Sequence, residues 1–337
     1  MSTATPQQKD LDHMIREHLP QAGWIVEGAF RFDQHLLTIL SFLAQFFPQR
    51  QVTRALGAPP CAWSLDLYGR RKPMSISSCV NVMEAYAQIN VGLILAFDNP
   101  LVSSPLYDDA LGHRLIELLF QPQYNPTGRN AVCVASHGLA KTLRERYPHI
   151  PLICHQNHLI MGTAKRTPSL YEELGDMYRE IILHPRDAIA PSFYTQLKNA
   201  WKYIALANDP VPRNYAARRE LLQLVAETRL RPWDLELAEA KEKLAQRTNL
   251  FDVQLTCILS AEEEKGLYAS GVRTFLIQSF MFRNELTLFW DMFYHLLRTQ
   301  PEYSNEAALI VSAAIAYIRE TVDELPTGTK LFNFADN

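Results

Sequence analysis

NAVCVASHGLAKTLRERYPHIPLICHQNHLI, residues 130–160, decides the fold. It opens on an apolar run, Ala131–Ala135, passes through Leu139–Tyr147 with apolar residues at helical spacing, and closes on a second apolar run, Pro151–Gln156. Two strands joined by a helix lie parallel in one sheet, because the helix returns the chain to the edge from which the first strand began. The same unit recurs on both sides of it. Further runs are Gln51–Leu56, Gly92–Phe97, Glu180–His184, Tyr203–Ala207, Asp252–Ile258 and Arg273–Gln278, most of them followed by a helical stretch. Eight such runs are what an α/β (β/α)8 TIM barrel needs, and such barrels place their chemistry in the loops at the carboxyl ends of the strands.

Pro105–Phe120, Leu139–Tyr147, Ser169–Tyr178, Ser192–Trp201 and Tyr215–Thr228 read as the connecting helices, several introduced by Pro or Ser near the first turn. FDQHLLTILSFLAQFF, Phe32–Phe47, is apolar on more than one face and reads as an extra N-terminal helix before the first strand. Two C-terminal helices follow the barrel, aromatic Asn284–Arg298 and nearly continuously apolar Asn305–Val322; the second suits burial against the barrel or a homodimer face. These bounds give a peripheral lead over 1–25, one barrel domain over 26–325 and a tail over 326–337. The loop GAPPCAWSLDLYGRRKPMS is punctuated by Gly and Pro and is a candidate wall of the site. WDLELAEAKEKLAQRTN carries mixed charge at helical spacing, the pattern of a solvated helix face.

Composition narrows the function. With 337 residues, 47% hydrophobic, the chain can bury a large core, and a net charge of -3 offers no basic field for nucleic acid. The polar start has no apolar signal core and no run approaches the roughly twenty apolar residues of a membrane span, so a cytoplasmic protein without a membrane partner is expected. The five cysteines are scattered, with no CxxC pair, which argues against thiolate zinc or an iron–sulfur cluster. Cys133, Cys154 and Cys257 fall in expected strands. Cys61 lies in the long loop and is the candidate reactive thiol, with a small apolar residue as the plainer reading. No Walker, GxGxxG or GxSxG motif is present.

Several segments resemble a family. GLILAFDNPL, DDALGHRLIELL and the 130–160 stretch are similar to a group of largely uncharacterised bacterial TIM-barrel proteins, distantly similar to the collagenase-like peptidase superfamily, whose better understood members hydroxylate ubiquinone precursors or tRNA. EIILHPRDAI resembles that family's strand followed by Asn/Arg-Asp, YIALANDPVPRNYAARREL its Asn-rich, cysteine-containing segment, and RTFLIQSFMFRNEL its FKIxGR segment. Where those relatives place cysteines after the sixth strand, this chain has Val211, Tyr215 and Ala216; where they have Gly-Arg after the eighth, it has Ser279 and Phe280. The resemblance therefore implies the barrel and carries over neither cluster chemistry nor a peptidase nucleophile.

The expected rim holds Asp98 and Asn99, Ser136 and His137, His155 to His158, His184, Arg186 and Asp187, Asn208 and Asp209, and Gln278, with Trp63, Asp66, Arg70 and Arg71 from the long loop. Strand alternation puts His155 and Asn157 on one face and Gln156 and His158 on the other. His155, His184 and Asp187 are the candidate catalytic groups; Trp63, Arg70, Asn99, Ser136, Asn157, Arg186, Asn208 and Gln278 are the candidate binding groups. One reading makes His155 or His184 a general acid or base oriented by an Asp, with Arg186 or Arg70 holding an anion. Another joins His155 and His184 to Asp98, Asp187 or Asp209 around a divalent metal. Arg186 and Asp187 also suit a local pair capping a helix. The two function classes are an enzyme on a small polar, anionic metabolite, fitting a biosynthetic role, and a catalytically silent barrel serving as a binding or accessory subunit.

Overall fold

The computed structural model describes residues 19, 21–31, 36–41, 52–65, 74–209, 218–247, 257–278, 292 and 295–296. Its strands are β1 Gly23–Glu27, β2 Val52–Gly57, β3 Gly92–Phe97, β4 Ala131–Val134, β5 Leu152–Cys154, β6 Glu180–Ile182, β7 Tyr203–Leu206, β8 Asn208–Asp209, β9 Cys257–Ile258 and β10 Thr274–Ile277. Between them lie helices α1 Ile76–Gln88, α2 Ala110–Leu119, α3 His137–Arg146, α4 Gln156–Met161, α5 Pro168–Met177, α6 Pro185–Ala188, α7 Pro191–Tyr194, α8 Arg218–Leu230, α9 Leu235–Arg247 and α10 Ala261–Ala269. All strands but β8 and β9 close into a parallel barrel in the order β1-β10-β7-β6-β5-β4-β3-β2. No helix among the described residues is long and apolar enough to cross a membrane.

The eight-strand barrel is as expected, but its membership differs in one place. GWIVE, assigned in part to the lead, is the first barrel strand and pairs with both β10 and β2, closing the ring. Of the expected strand Asp252–Ile258, residues 252–256 lie outside the described residues. Its described end, Cys257–Ile258, pairs antiparallel with Asn208–Asp209 in a separate two-stranded sheet. The helical segment over 36–41 consequently falls between β1 and β2, as a barrel connection rather than an extra helix before the first strand. Ser192–Trp201 is not one helix either: α7 stops at Tyr194, and Asn199 adopts a left-handed φ of 53° before a short 3-10 turn. Asn284–Arg298 is described only at 292, 295 and 296, and Asn305–Val322 lies outside the described residues.

Alternation along the strands sorts side chains into two layers. Ile25, Leu56, Ile94, Cys133, Ile153, Ile182, Ile204, Leu206 and Leu276 belong to one cluster that fills the barrel. Their neighbours Trp24, Val26, Leu95, Val134, Cys154, Ile181 and Ala205 belong to the larger cluster against the helices. Gly57 shows how tightly the first units approach, for a Cβ there would sit 2.1 Å from the carbonyl oxygen of Ala29. That approach lets the Gly28 and Ala29 amides donate to Leu56 O at 2.9 and 3.2 Å, anchoring the turn out of β1.

The inward positions also fix the floor. Arg54 shares the face of Leu56, and Glu180 that of Ile182. Their guanidinium and carboxylate meet in two hydrogen bonds of 2.5 and 2.6 Å, with both side chains largely buried. β2 and β6 stand four places apart in the ring, so this pair crosses the barrel.

Candidate functional site

Two residues beyond the last apolar inward position of each strand, the inward face at the carboxyl ends carries Glu27, Asp98, His155, His184, Asn208 and Gln278, with small Ala58 and Ala135 between. This polar ring above an apolar plug is the frame of the site. The sequence reading found all of it except Glu27, which came with the missed first strand. A bounded signal existed: an apolar WIV triplet between Gly23 and an acidic residue followed by Gly28.

His155 and His184 are built alike. Each is the N-cap residue of a short helix starting immediately after its strand, α4 after β5 and α6 after β6. Each folds its ring back so that Nδ1 accepts from a backbone N–H, from Asn157 at 3.2 Å and from Arg186 at 3.2 Å. An amide N–H can only donate, so Nδ1 keeps its lone pair and the neutral ring carries its proton on Nε2. Burial drives the His155 pKa down to about 3. Burial does the same at His184, also to about 3, reinforced by Arg166, Arg218 and Arg186. At neutral pH the rim therefore presents two imidazoles as Nε2–H donors rather than as bases.

The other candidate groups sort by their partners. Asp187 does not orient the His184 ring: its Oδ2 takes Arg166 Nε at 2.8 Å and the Tyr171 hydroxyl at 2.8 Å. Tyr171 in turn accepts from the His184 backbone N–H at 3.1 Å, so Asp187 supports the strand end through the tyrosine. Burial and the adjacent Asp187 hold the Tyr171 hydroxyl well above its ordinary pKa. Asp209 is held by Arg218 in two bonds of 3.0 and 2.8 Å. Asn208 spans to the Gln278 backbone, accepting from its N–H at 2.6 Å and donating to its carbonyl at 3.1 Å. That side chain continues the β7–β10 pairing past the last strand residues.

Several expected binding residues are structural. β5 ends at Cys154 and Gln156–Met161 is helical, so strand alternation does not reach Asn157; its Nδ2 donates to Asp98 O at 2.9 Å. Trp63 is 0% exposed, donates from Nε1 to Leu106 O at 2.6 Å and lies edge-on between Phe97 and His113. It is core, not a wall of the site. Ser136 caps α3 and donates to Val102 O at 2.9 Å. Asn99 Oδ1 accepts from the Leu101 N–H, and its buried Nδ2 has no partner among the described residues. Arg186 reaches the surface and contributes its backbone N–H to His184. Asp66, Arg70 and Arg71 lie outside the described residues, as do Val211, Tyr215, Ala216, Ser279 and Phe280. Cys61 is fully enclosed, and burial pushes its thiol up to about 12, the setting of an inert small residue.

The carboxylates of the metal reading have partners of their own. Among the described residues no three His, Cys, Asp or Glu side chains are grouped to hold a metal ion. Asp187 and Asp209 are held by arginines, and the Nδ1 atoms of both histidines by amides.

The mouth has a roof, formed by the expected connecting helix Tyr215–Thr228 and the charged segment after it. Helix α8 is held at its start by Arg218 to Asp209, beyond β7. Near its end Arg229 donates to Ser64 O at 3.2 Å and Cys61 O at 3.3 Å, in the loop after β2. Leu221, Leu222, Val225 and Ala226 of α8 and Leu244 of α9 pack on Leu65 of that loop, with Leu101, Ile160 and Met161 alongside. β7 and β2 are separated by β10 and β1 on one side and by four strands on the other. The ~16 Å between Arg218 and Arg229 along the helix axis thus runs as a chord across the rim.

The class this fold and rim define is a (β/α)8 barrel with a polar carboxyl-end ring under a helical hairpin. No protein-family model matches the chain, and no curated protein matches it. Among solved structures the chain is similar to the U32 peptidase Mk0906, with a TM-score of 0.47 and 11% sequence identity over 77% of this chain and 92% of that one.

Proposed function

We propose that this barrel is an enzyme acting on a small polar, anionic metabolite at its rim, with His155 and His184 serving as neutral hydrogen-bond donors to the ligand's oxygens. The observation that carries the reading is the matched tethering of both rings through Nδ1, which leaves Nε2–H as the functional end of each. A neutral imidazole held at a helix start can polarise a carbonyl and stabilise the oxyanion formed from it, without taking a proton. Arg186, exposed and with its charge felt at His184, favours a ligand with a negative group on the β6 side, while Arg166 and Arg218 are paired with Asp187 and Asp209. A proton-transfer partner would have to come from elsewhere in the ring, where Glu27 and Asp98 are the carboxylates.

The second reading, a binding or accessory barrel, draws support from a different observation: among the described residues neither histidine has a carboxylate on its ring, so these residues assemble no acid–base pair of the usual kind. The two readings share the donors and differ in turnover. Proton–nitrogen NMR of the imidazoles tests both, run with phosphate, phosphate monoesters and small carboxylates as probes. Both rings should remain Nε2–H tautomers from pH 8 to about pH 4, and at least one probe should move both Nε2 signals. Protonation of either ring near the ordinary histidine value, or silence toward every probe, would end the proposal.

A further inference from the structure

We propose that His137 and His158 form a two-imidazole site for a divalent transition-metal ion at the starts of α3 and α4, a site that uses none of the tethered donors of the ring. The two residues come from neighbouring units. β4 and β5 pair in register up to Val134 and Cys154; His137 opens α3 three residues beyond the first, and His158 lies in α4 four residues beyond the second. Their rings meet with centroids 5.8 Å apart and planes 26° from parallel. Two imidazoles bound to one tetrahedral ion through bonds of about 2.0–2.1 Å have centroids ~5 Å apart, so closing on an ion needs a shift of roughly 1 Å. His137 is exposed and its χ2 well is broad, so the shift falls to a side chain with room to make it.

His158 has the outer support that metal-bound histidines carry. Its ring is hydrogen-bonded to the Ala135 backbone in the sense that favours a ring proton, which makes the carbonyl the acceptor. In a neutral imidazole that leaves a lone pair on the other nitrogen, the atom an ion takes. The base of the side chain is fixed as well, since the His158 N–H donates to His155 O at 3.0 Å. Both rings are held toward the neutral form that an ion requires, His137 by partial burial and Lys141, His158 by burial and His137. The start of α3 and Lys141 oppose a cation, a modest effect at an exposed position beside two metal–nitrogen bonds. Two protein ligands leave the other positions to water or to oxygens of a bound anion, which makes the site open rather than structural. Ions of the zinc, nickel and copper group suit imidazole ligands, whereas magnesium and calcium prefer oxygen.

Zinc titrated into the full chain, followed by proton–nitrogen NMR of the imidazoles, tests this with the metal alone and no anionic probe. The His137 and His158 signals should move together with one midpoint while His155 and His184 stay in place, so the outcome is independent of whether the ring binds anions. His137→Gln should raise the zinc concentration that shifts His158 by at least about tenfold, and His158→Gln should do the same to His137. The exposed His137 carries the test if the variant at half-buried His158 does not fold. Separate midpoints for the two rings, a midpoint shared with His155 and His184, an unchanged His158 midpoint in His137→Gln, or silence of both rings toward zinc would overturn the proposal.

Discussion

The floor and the rim of this barrel are one strand length apart and follow the same alternation, yet they dispose of their polar groups in opposite ways. On the floor, Arg54 and Glu180 consume each other across the barrel in a two-bond pair. At the rim, His155 and His184 spend one nitrogen each on a local amide and keep the other. A buried charge pair that satisfies itself fixes geometry and offers nothing to a ligand. A ring tethered at one atom is oriented and still has a donor left. The difference separates stability from function along a single barrel axis.

The floor is where the largest effect should appear. Glu180→Ala leaves Arg54 without its partner and should cost about 3 kcal/mol of unfolding free energy, as breaking a buried pair does, read as a lower denaturant midpoint. Replacing both, as Arg54→Met with Glu180→Leu, should recover most of that loss. An effect below about 0.5 kcal/mol for the single variant would mean the floor pair is no more than a surface bridge.

The rim should reveal itself next, through acid. Both histidines are held down to about 3 when folded, against an ordinary value near 6.5, so below about pH 6.5 the unfolded chain binds protons that the folded chain does not. Their contribution is present above pH 6.5 and lost progressively as the pH falls toward 3. At pH 5 the loss should be roughly 2 kcal/mol per histidine. His155→Asn keeps an N-cap acceptor while removing the titration, and should flatten its share of the slope. An unchanged stability profile between pH 7 and 5 in wild type and variant alike would contradict the buried neutral ring.

The smallest expected effect lies behind His184. Tyr171→Phe removes the hydroxyl that accepts from the His184 amide and donates to Asp187, and should cost about 1 kcal/mol. In the imidazole NMR it should shift His184 more than His155. Equal shifts at both rings, or at neither, would show that the tyrosine does not position this one strand end.

Much of the fold was legible because a parallel strand buried on both faces is a short apolar run, and β2 to β7 and β10 all announce themselves that way. β1 is equally apolar, but it is five residues long and has no earlier unit to set its spacing, whereas 252–258 sits where a regular count expects a strand. His155, His184 and the inward positions of Asp98, Asn208 and Gln278 were legible from alternation alone. What alternation cannot supply is the residue after the last one it governs. Asn157 falls in a helix that starts early, and Asp187 is drawn off by Tyr171 and Arg166, which come from a different unit. Trp63 looked like loop material until Gly112 is considered: a Cβ there would sit 2.4 Å from the indole, so α2 provides a berth for the ring that no local pattern in the loop discloses.

The short antiparallel pair of β8 and β9 has an architectural consequence. It brings the two ends of everything between Asp209 and Cys257 side by side, at the ~5 Å spacing that a tight reverse turn can bridge. The roof is thereby a cassette: in a redesigned chain it could be exchanged for another insert, or excised and closed with a two-residue turn, while the ring beneath keeps its register.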